Sequence, residues 1–380
     1  MTSTLNRPPV ESSSPGKRRT TARAPISLKH RLSAFDYKAS PYFYVAPFFI
    51  LFAIVGLFPL VYTFVVSLYD WHTLKGQGEF VGLANFTAVL GDRYFWNSLF
   101  NTVSIFFLST IPQVIAAVVI AAVLDQNLRG RTFWRMSVLL PYVVTPVAVA
   151  MIFSNVFGET YGLINNILVS FGVDPIMWQN ETLPSHIAIA TMVNWRWTGY
   201  NALILLAAMQ SVPRDIHESA ALDGAGATRR FFSITLPSIR PTMIFVIITA
   251  TIGGLQIFTE PRLFDPVTAG GSQRQFQTTV LYLWEMAFFR QNFGKASAIA
   301  WLLFLLIVIF GLINFVLSRS IATAEGRGAK ARSQRRLLKL RQRQARDDLR
   351  AGSAASGRRD TSTQTQPPRP TDPPAEGSTR

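Results

Sequence analysis

Residues 210–237 read Gln-Ser-Val-Pro-Arg-Asp-Ile-His-Glu-Ser-Ala-Ala-Leu-Asp-Gly-Ala-Gly-Ala-Thr-Arg-Arg-Phe-Phe-Ser-Ile-Thr-Leu-Pro. This stretch is too polar to cross a membrane and too structured to be an ordinary connector. Its first part has helix-start chemistry: Ser211 can cap, Pro213 fits a first turn, and Asp215 and Glu218 suit the positive end of the helix dipole. Ala220 and Ala221 favour helix, and Gly224 and Gly226 interrupt it. Thr228 can cap a second short helix through Ile234, which Pro237 and Pro241 close. The expectation is a helix–turn–helix with a small-residue centre (Ala220, Ala221, Gly224, Ala225) and apolar anchors (Phe231, Phe232, Ile234). Small residues let a helix seat deeply in a groove, and buried aromatics give affinity. Docking on another chain and packing on the protein's own bundle both stay open at this level.

Outward from this loop the chain is apolar. Blocks at 186–209 and 242–258 flank it, and further blocks lie at 42–68, 99–124, 133–157 and 296–317. Each is long enough for a bilayer core, which takes about 20 residues of helix. Hydrophobic residues make up 49% of the chain and charged residues only 15%, below the usual share for a soluble domain. The fold class read from this pattern is all-α: a polytopic membrane protein of six transmembrane helices over 42–318. Pro141 and Pro146 fall inside the third block and are tolerated where neighbouring groups satisfy the freed carbonyls. The first block is too long for the apolar region of a signal peptide and is expected to stay as a span.

The net charge is +16, and thirty of the 37 Lys and Arg lie in the two tails (1–41 and 319–380) and in the segments 125–135 and 210–241. Positive charge gathers on the cytoplasmic side of short loops. Both termini are therefore expected in the cytoplasm. Both tails read as basic and largely disordered and suit topology and anionic lipid rather than nucleic acid; for a basic helix over 329–350, lipid-surface binding and a merely solvated helix both stay open. The chain has no Cys, and His30, His72, His186 and His217 give no metal-ligand spacing. Gly16-Lys17 and Gly294-Lys295 have Glu11 and Phe289 where a phosphate loop needs Gly, so no ATPase motif is present. Energy must come from another chain or from an ion gradient. A gradient-driven carrier would need carboxylates within its spans, and only Glu260, at the edge of the fifth, is close. No catalytic constellation occurs at helix spacing inside the spans.

Glu218, Ala220, Asp223, Gly224, Ala225, Phe231, Ile234, Leu236 and Pro237 stand in one gapless register that resembles the signature loop of permease subunits in bacterial binding-protein-dependent ABC importers. Ser219 departs mildly, where that family usually has Ala. Further similarity to the carbohydrate, maltose-type branch with an extra N-terminal span lies in Tyr69-Asp70-Trp71, Phe80-Val81-Gly82-Leu83, Tyr161-Gly162-Leu163-Ile164-Asn165 and Phe293-Gly294-Lys295-Ala296. Ala269-Gly270-Gly271-Ser272 departs from the Gly-Gly-Pro of relatives. The resemblance implies a type I ABC importer permease fold with its core over about 95–318, in a bacterial cytoplasmic membrane. It also implies a second homologous permease, cytoplasmic ATPase subunits that use the ATP, an extracytoplasmic solute-binding protein, and no cofactor or metal in this chain. By that resemblance Glu218, Ser219, Ala220, Asp223, Gly224, Ala225, Phe231, Leu236 and Pro237 form the ATPase-docking surface within 210–241. The solute would be a sugar or polyol.

Arg196 lies near the middle of the fourth block, where an unpaired arginine costs roughly 2.5–3.5 kcal/mol. It should face the bundle interior, with Asn194, Asn201, Gln256 and Glu260 as candidate partners. Trp195 and Trp197 offer faces of the kind that stack on sugar rings. A solute pathway through Trp195, Arg196, Asn201, Gln256 and Glu260 and a purely structural polar clamp both remain open. Gln113 and Asn101 read as residues that hydrogen-bond helix to helix.

Overall fold

A computed structural model describes residues 28–316 apart from Pro266 and Ala269, together with Leu338, with side chains from Ser40 onward. The basic helix over 329–350 and the tails, outside these positions, lie beyond the described residues. The chain divides into two compact units, Met1–Val66 and Ser67–Arg380.

The first unit is helical. Helix α1 (Leu28–Phe52) runs through one π turn at Ala53–Leu57 into α2 (Phe58–Ser67). Its apolar length, Ser40–Ser67, is 28 residues. Phe48, Phe49, Leu51 and Ile54 are exposed along it, which suits hydrocarbon rather than water.

The second unit opens with a feature that corrects the all-α expectation. Strands β1 (Tyr69–His72) and β2 (Gly76–Phe80) form an antiparallel hairpin. Two glycines make it possible. Gly76 turns the chain at φ +73°, and a Cβ on Gly78 would stand 2.4 Å from the Asp70 carbonyl oxygen. The Asn85 amide, on α3 (Ala84–Leu90), donates to the carbonyls of Ser67 (2.8 Å) and Tyr69 (2.9 Å) and fixes the hairpin's root.

Helices α4 (Arg93–Leu124) and α8 (Thr182–Gln210) form the backbone of the bundle. Ala117 and Ala121 on α4 meet Ala202, Leu205, Leu206 and Met209 on α8, all buried. Small side chains allow that close approach, which is how helices associate without a solvent-driven hydrophobic force. The second correction concerns the block 133–157, which is not one straight span. It is α5 (Arg131–Val143) and α6 (Pro146–Val156), bent by 89°. A residue before proline is disfavoured from the helical region, and Thr145 is extended at ψ 144°. Its hydroxyl accepts from the Ala148 N–H at 3.4 Å, so Thr145 caps α6 just after α5 has ended at the extended Val144. Helix α5 lies directly on α8: a Cβ on Gly199 would stand 1.8 Å from the Val138 carbonyl oxygen.

After α7 (Leu163–Ser170) and α8 come α9 (Arg214–Leu222), α10 (Ala227–Ser238) and α11 (Arg240–Leu255). The segment between α11 and the last helix holds α12 (Thr259–Phe264) and a short apolar helix, α13 (Thr279–Phe289), where sequence patterning reads a loop. Helix α14 (Phe293–Val316) closes the fold. Among the described residues, three helices are long and apolar enough to cross a membrane: Ser40–Ser67, Arg93–Leu124 and Phe293–Val316. The count reaches five if each bent pair is one span. Helix α8 has the length, 29 residues, but its middle is polar from Asn194 to Asn201.

A polar network ties α13 to the N-terminal parts of α4 and α8. The His186 ring bonds Ser104 Oγ and the Gln275 carbonyl, both at 2.9 Å. Asn97 and Asn101 donate to the Arg274 carbonyl. The Glu285 carboxylate accepts from Arg274 (2.8 Å), Gln277 (2.7 Å) and Arg290 (3.1 Å). Burial alone would raise the Glu285 pKa, but these donors together outweigh it and hold it below the ordinary carboxylate value.

Candidate functional site

The loop 210–241 folds as the helix–turn–helix its sequence suggests, with different caps. Helix α9 starts after Pro213 without a side-chain cap, and Ser211 Oγ bonds the Ala208 carbonyl instead. Gly226, not Thr228, precedes α10. The turn between them follows from Gly224. At φ +78° it occupies the left-handed region; its N–H bonds the Ala221 carbonyl (3.0 Å) and the Ala225 N–H bonds the Ala220 carbonyl (2.9 Å). This is the Schellman arrangement, which satisfies the last carbonyls of a helix and wants glycine at that position.

The nine residues singled out in this loop separate into two groups. Glu218, Ser219, Asp223, Gly224 and Pro237 are exposed, with Ala220 and Ala225 half-buried beside them. Phe231 and Leu236 turn inward and pack on the cluster of Met209, Ile239 and Val246. They anchor the hairpin to the bundle and leave its small-residue turn outside. Two apolar residues that composition did not single out, Ile216 (45% exposed) and Leu222 (91% exposed), extend the exposed face.

The second site is a cavity of about 400 Å³ enclosed by α4, α8, α11 and the start of α12. Arg196, Trp197, Tyr200 and Asn201 reach it from α8, Gln113 from α4, and Gln256 and Glu260 from the end of α11 onward. Arg196 Nη1 lies 3.6 Å from Glu260 Oε1, with the side chains only 17% and 9% exposed, so Glu260 is the one of the four candidates that pairs with its charge. The guanidinium also lies over the Trp197 ring at 5.5 Å. Tyr142 stacks on Tyr200 (4.7 Å) behind this face. Gly253 leaves open space, while Gly254 sits against Phe106, where a Cβ would come within 2.9 Å. Four of the five pathway candidates thus meet in one place. Trp195 does not: it points away and meets Phe153 edge-on at 5.7 Å. Gln113 and Trp197 join the lining instead, and Gln113's polarity inside an apolar helix was the signal available for it.

Comparison with known proteins fits this geometry. The model of the family described as binding-protein-dependent transport system inner membrane component matches residues 113–323, more than half of the chain. The chain belongs to that family. This permease is 33% identical over 291 residues to the lactose transport system permease protein LacF of Rhizobium radiobacter, covering 74% of this chain and 95% of that protein. It is also 33% identical over 278 residues to the trehalose/maltose transport system permease protein MalF of Thermococcus litoralis, covering 73% and 93%. In fold it is similar to a chain of a bacterial ABC transporter involved in the import of alginate, with a TM-score of 0.65 at 20% identity over 77% of this permease and 99% of that chain. The permease is thus an inner-membrane component of a binding-protein-dependent transport system, built for transport rather than catalysis.

Proposed function

We propose that this permease forms half of the translocation pathway of an ATP-driven importer for a sugar or sugar-like solute, with the cavity around Arg196 and Glu260 on the pathway. The observation that carries this reading is mechanical. The hairpin α9–α10 hangs between α8 and α11, and those two helices supply most of the cavity wall. A partner that grips the hairpin moves the cavity lining directly, the coupling that alternating access requires. The exposed turn of Glu218, Ser219, Ala220, Asp223, Gly224 and Ala225 is the surface for a cytoplasmic ATPase subunit, with Phe231 and Leu236 carrying its motion into the bundle. A second, homologous permease supplies the other half, and an extracytoplasmic binding protein delivers the solute. The topology is six spans with both termini cytoplasmic, α5–α6 forming one broken span. The relatives named for lactose and for trehalose/maltose favour a saccharide, and the Trp197 and Tyr200 faces beside Asn201, Gln113 and Gln256 offer the stacking and hydrogen bonding that a sugar needs.

The test is affinity purification of the tagged chain in mild detergent beside a Gly224→Asp variant. A second permease and a soluble ATPase should come down with the wild type, and the ATPase should be lost from the variant. If the chain comes down alone and the variant behaves identically, the hairpin packs only on its own bundle and a gradient-driven carrier becomes the better reading.

A further inference from the structure

Behind the hairpin lies a second cleft, of about 930 Å³, between α9–α10 and the turn that joins α4 to α5. Four guanidinium groups line it: Arg131 and Arg135 from α5, Arg214 from α9 and Arg230 from α10. Two carboxylates, Asp125 and Glu218, share the lining. Among the described residues no ion pair joins any of the four arginines to a carboxylate. Arg131 bonds the Asn127 side chain and Arg230 the His217 carbonyl (3.3 Å). Arg135 Nε is buried and has no hydrogen-bond partner.

This arrangement is costly as it stands. Like charges gathered in one cleft repel, and the buried Arg135 N–H is left without an acceptor. The repulsion falls if the cleft receives an anion with several acceptor oxygens. Guanidinium forks match phosphate oxygens in pairs, which a carboxylate-lined or neutral cleft could not do. The cleft overlaps the docking turn only at Glu218: Ser219, Ala220, Asp223, Gly224 and Ala225 are not among its lining residues, nor are Ile216 and Leu222, exposed on α9.

We propose that this cleft is a phosphate-group binding site, in which one anionic group bridges Arg135 on α5 to Arg230 on α10. Bound there, it would tie the hairpin to the α4–α5 turn and restrain its motion relative to the bundle. Met209 and Gln210, at the cytoplasmic end of α8, also line the cleft, so the group could come from an anionic lipid headgroup or from a soluble phosphate compound.

The experiment uses the full-length chain, in the complex with which it purifies, in nanodiscs of phosphatidylcholine. Thermal unfolding is followed with added inorganic phosphate or pyrophosphate against sodium chloride at matched ionic strength, and separately in discs containing phosphatidylglycerol. The wild type should be stabilised by a phosphate ligand beyond the chloride control. Arg135→Gln and Arg230→Gln should each raise the half-maximal concentration at least tenfold, or abolish the phosphatidylglycerol effect. Arg135→Lys should retain part of the response, which guards against a variant that fails to fold. Arg229→Gln removes the same charge from an exposed neighbour outside the cleft and should respond like the wild type. Stabilisation by pyrophosphate in phosphatidylcholine assigns the site to a soluble ligand, and stabilisation only by phosphatidylglycerol assigns it to lipid. No response beyond chloride in either arm, or an equal loss with Arg229→Gln, overturns the proposal.

Discussion

Arg196 and Glu260 are 64 positions apart in sequence and 3.6 Å apart in space. Each makes the other tolerable in a largely apolar surrounding, because a buried ion with its partner removed is far more costly than the pair. The pair also faces a cavity large enough to admit solute. Arg196→Ala is therefore expected to reduce solute uptake at least tenfold in cells or proteoliposomes while the subunit still assembles with its partners. Unchanged uptake kinetics would make the pair a structural clamp. At this scale the sequence was informative where a polar residue interrupts an apolar block: Arg196, Asn201, Gln256 and Glu260 announce themselves that way, and they converge. It was uninformative about direction. Trp195 and Trp197 look alike in the chain, yet two positions along a helix differ by more than half a turn, so only Trp197 reaches the cavity.

At the scale of elements, the hairpin depends on one backbone conformation. Gly224 holds φ +78° with open space around its Cα, so a substitution there meets strain rather than collision. An L-residue in the left-handed region costs roughly 1–2 kcal/mol, and asparagine tolerates it better than a β-branched residue. If the turn's shape is what the ATPase reads, its retention in pull-downs should fall in the order Gly224, Gly224→Asn, Gly224→Val. Equal loss with both variants would place a partner atom directly against Gly224. The hairpin was legible because Gly, Pro and small residues punctuate it. The broken α5–α6 span was legible in principle, since Pro146 disfavours helix at Thr145, but proline inside an apolar block is compatible with a continuous kinked span. The β1–β2 hairpin was not legible: Tyr69 and Trp71 favour strand, but the run is short, and the contact that pins it, Thr73 N–H to the Gln291 carbonyl at 3.1 Å, joins residues far apart in the chain.

The network around Glu285 joins α4, α13 and the 274–277 turn, and it carries a pH dependence. The folded pKa of Glu285 lies below its unfolded value, so ionised Glu285 stabilises the fold above the unfolded carboxylate pKa of about 4.3, and that contribution disappears as pH falls through the folded value. Glu285→Gln should lower the unfolding temperature of the purified protein at pH 7, and the gap to wild type should narrow as the pH falls below about 4. A gap independent of pH would mean that the carboxylate's charge is not what the arginines hold.

Across the whole molecule, charge and hydropathy together constrain orientation more tightly than either alone. Among the described residues only three helices are long and apolar enough to be taken as spans by composition; α5–α6 and α10–α11 are bent, and α8 carries Arg196 in its middle. Each exception has a local cause: Pro146, the bend of 68° into α11, and a cavity that needs polar lining. Six crossings therefore remain the reading that places the arginines of the α4–α5 turn and of the α9–α10 hairpin on one side. That side is cytoplasmic if positive charge sets topology, since the segment 158–185 carries no Lys or Arg at all. Reporter fusions decide it. A periplasm-active reporter inserted within 158–185 should be active, and a cytoplasm-active reporter inserted at Gly224 should be active. The reverse pattern would put the hairpin outside, where no ATPase can reach it, and would remove the basis for coupling through Glu218 to Ala225.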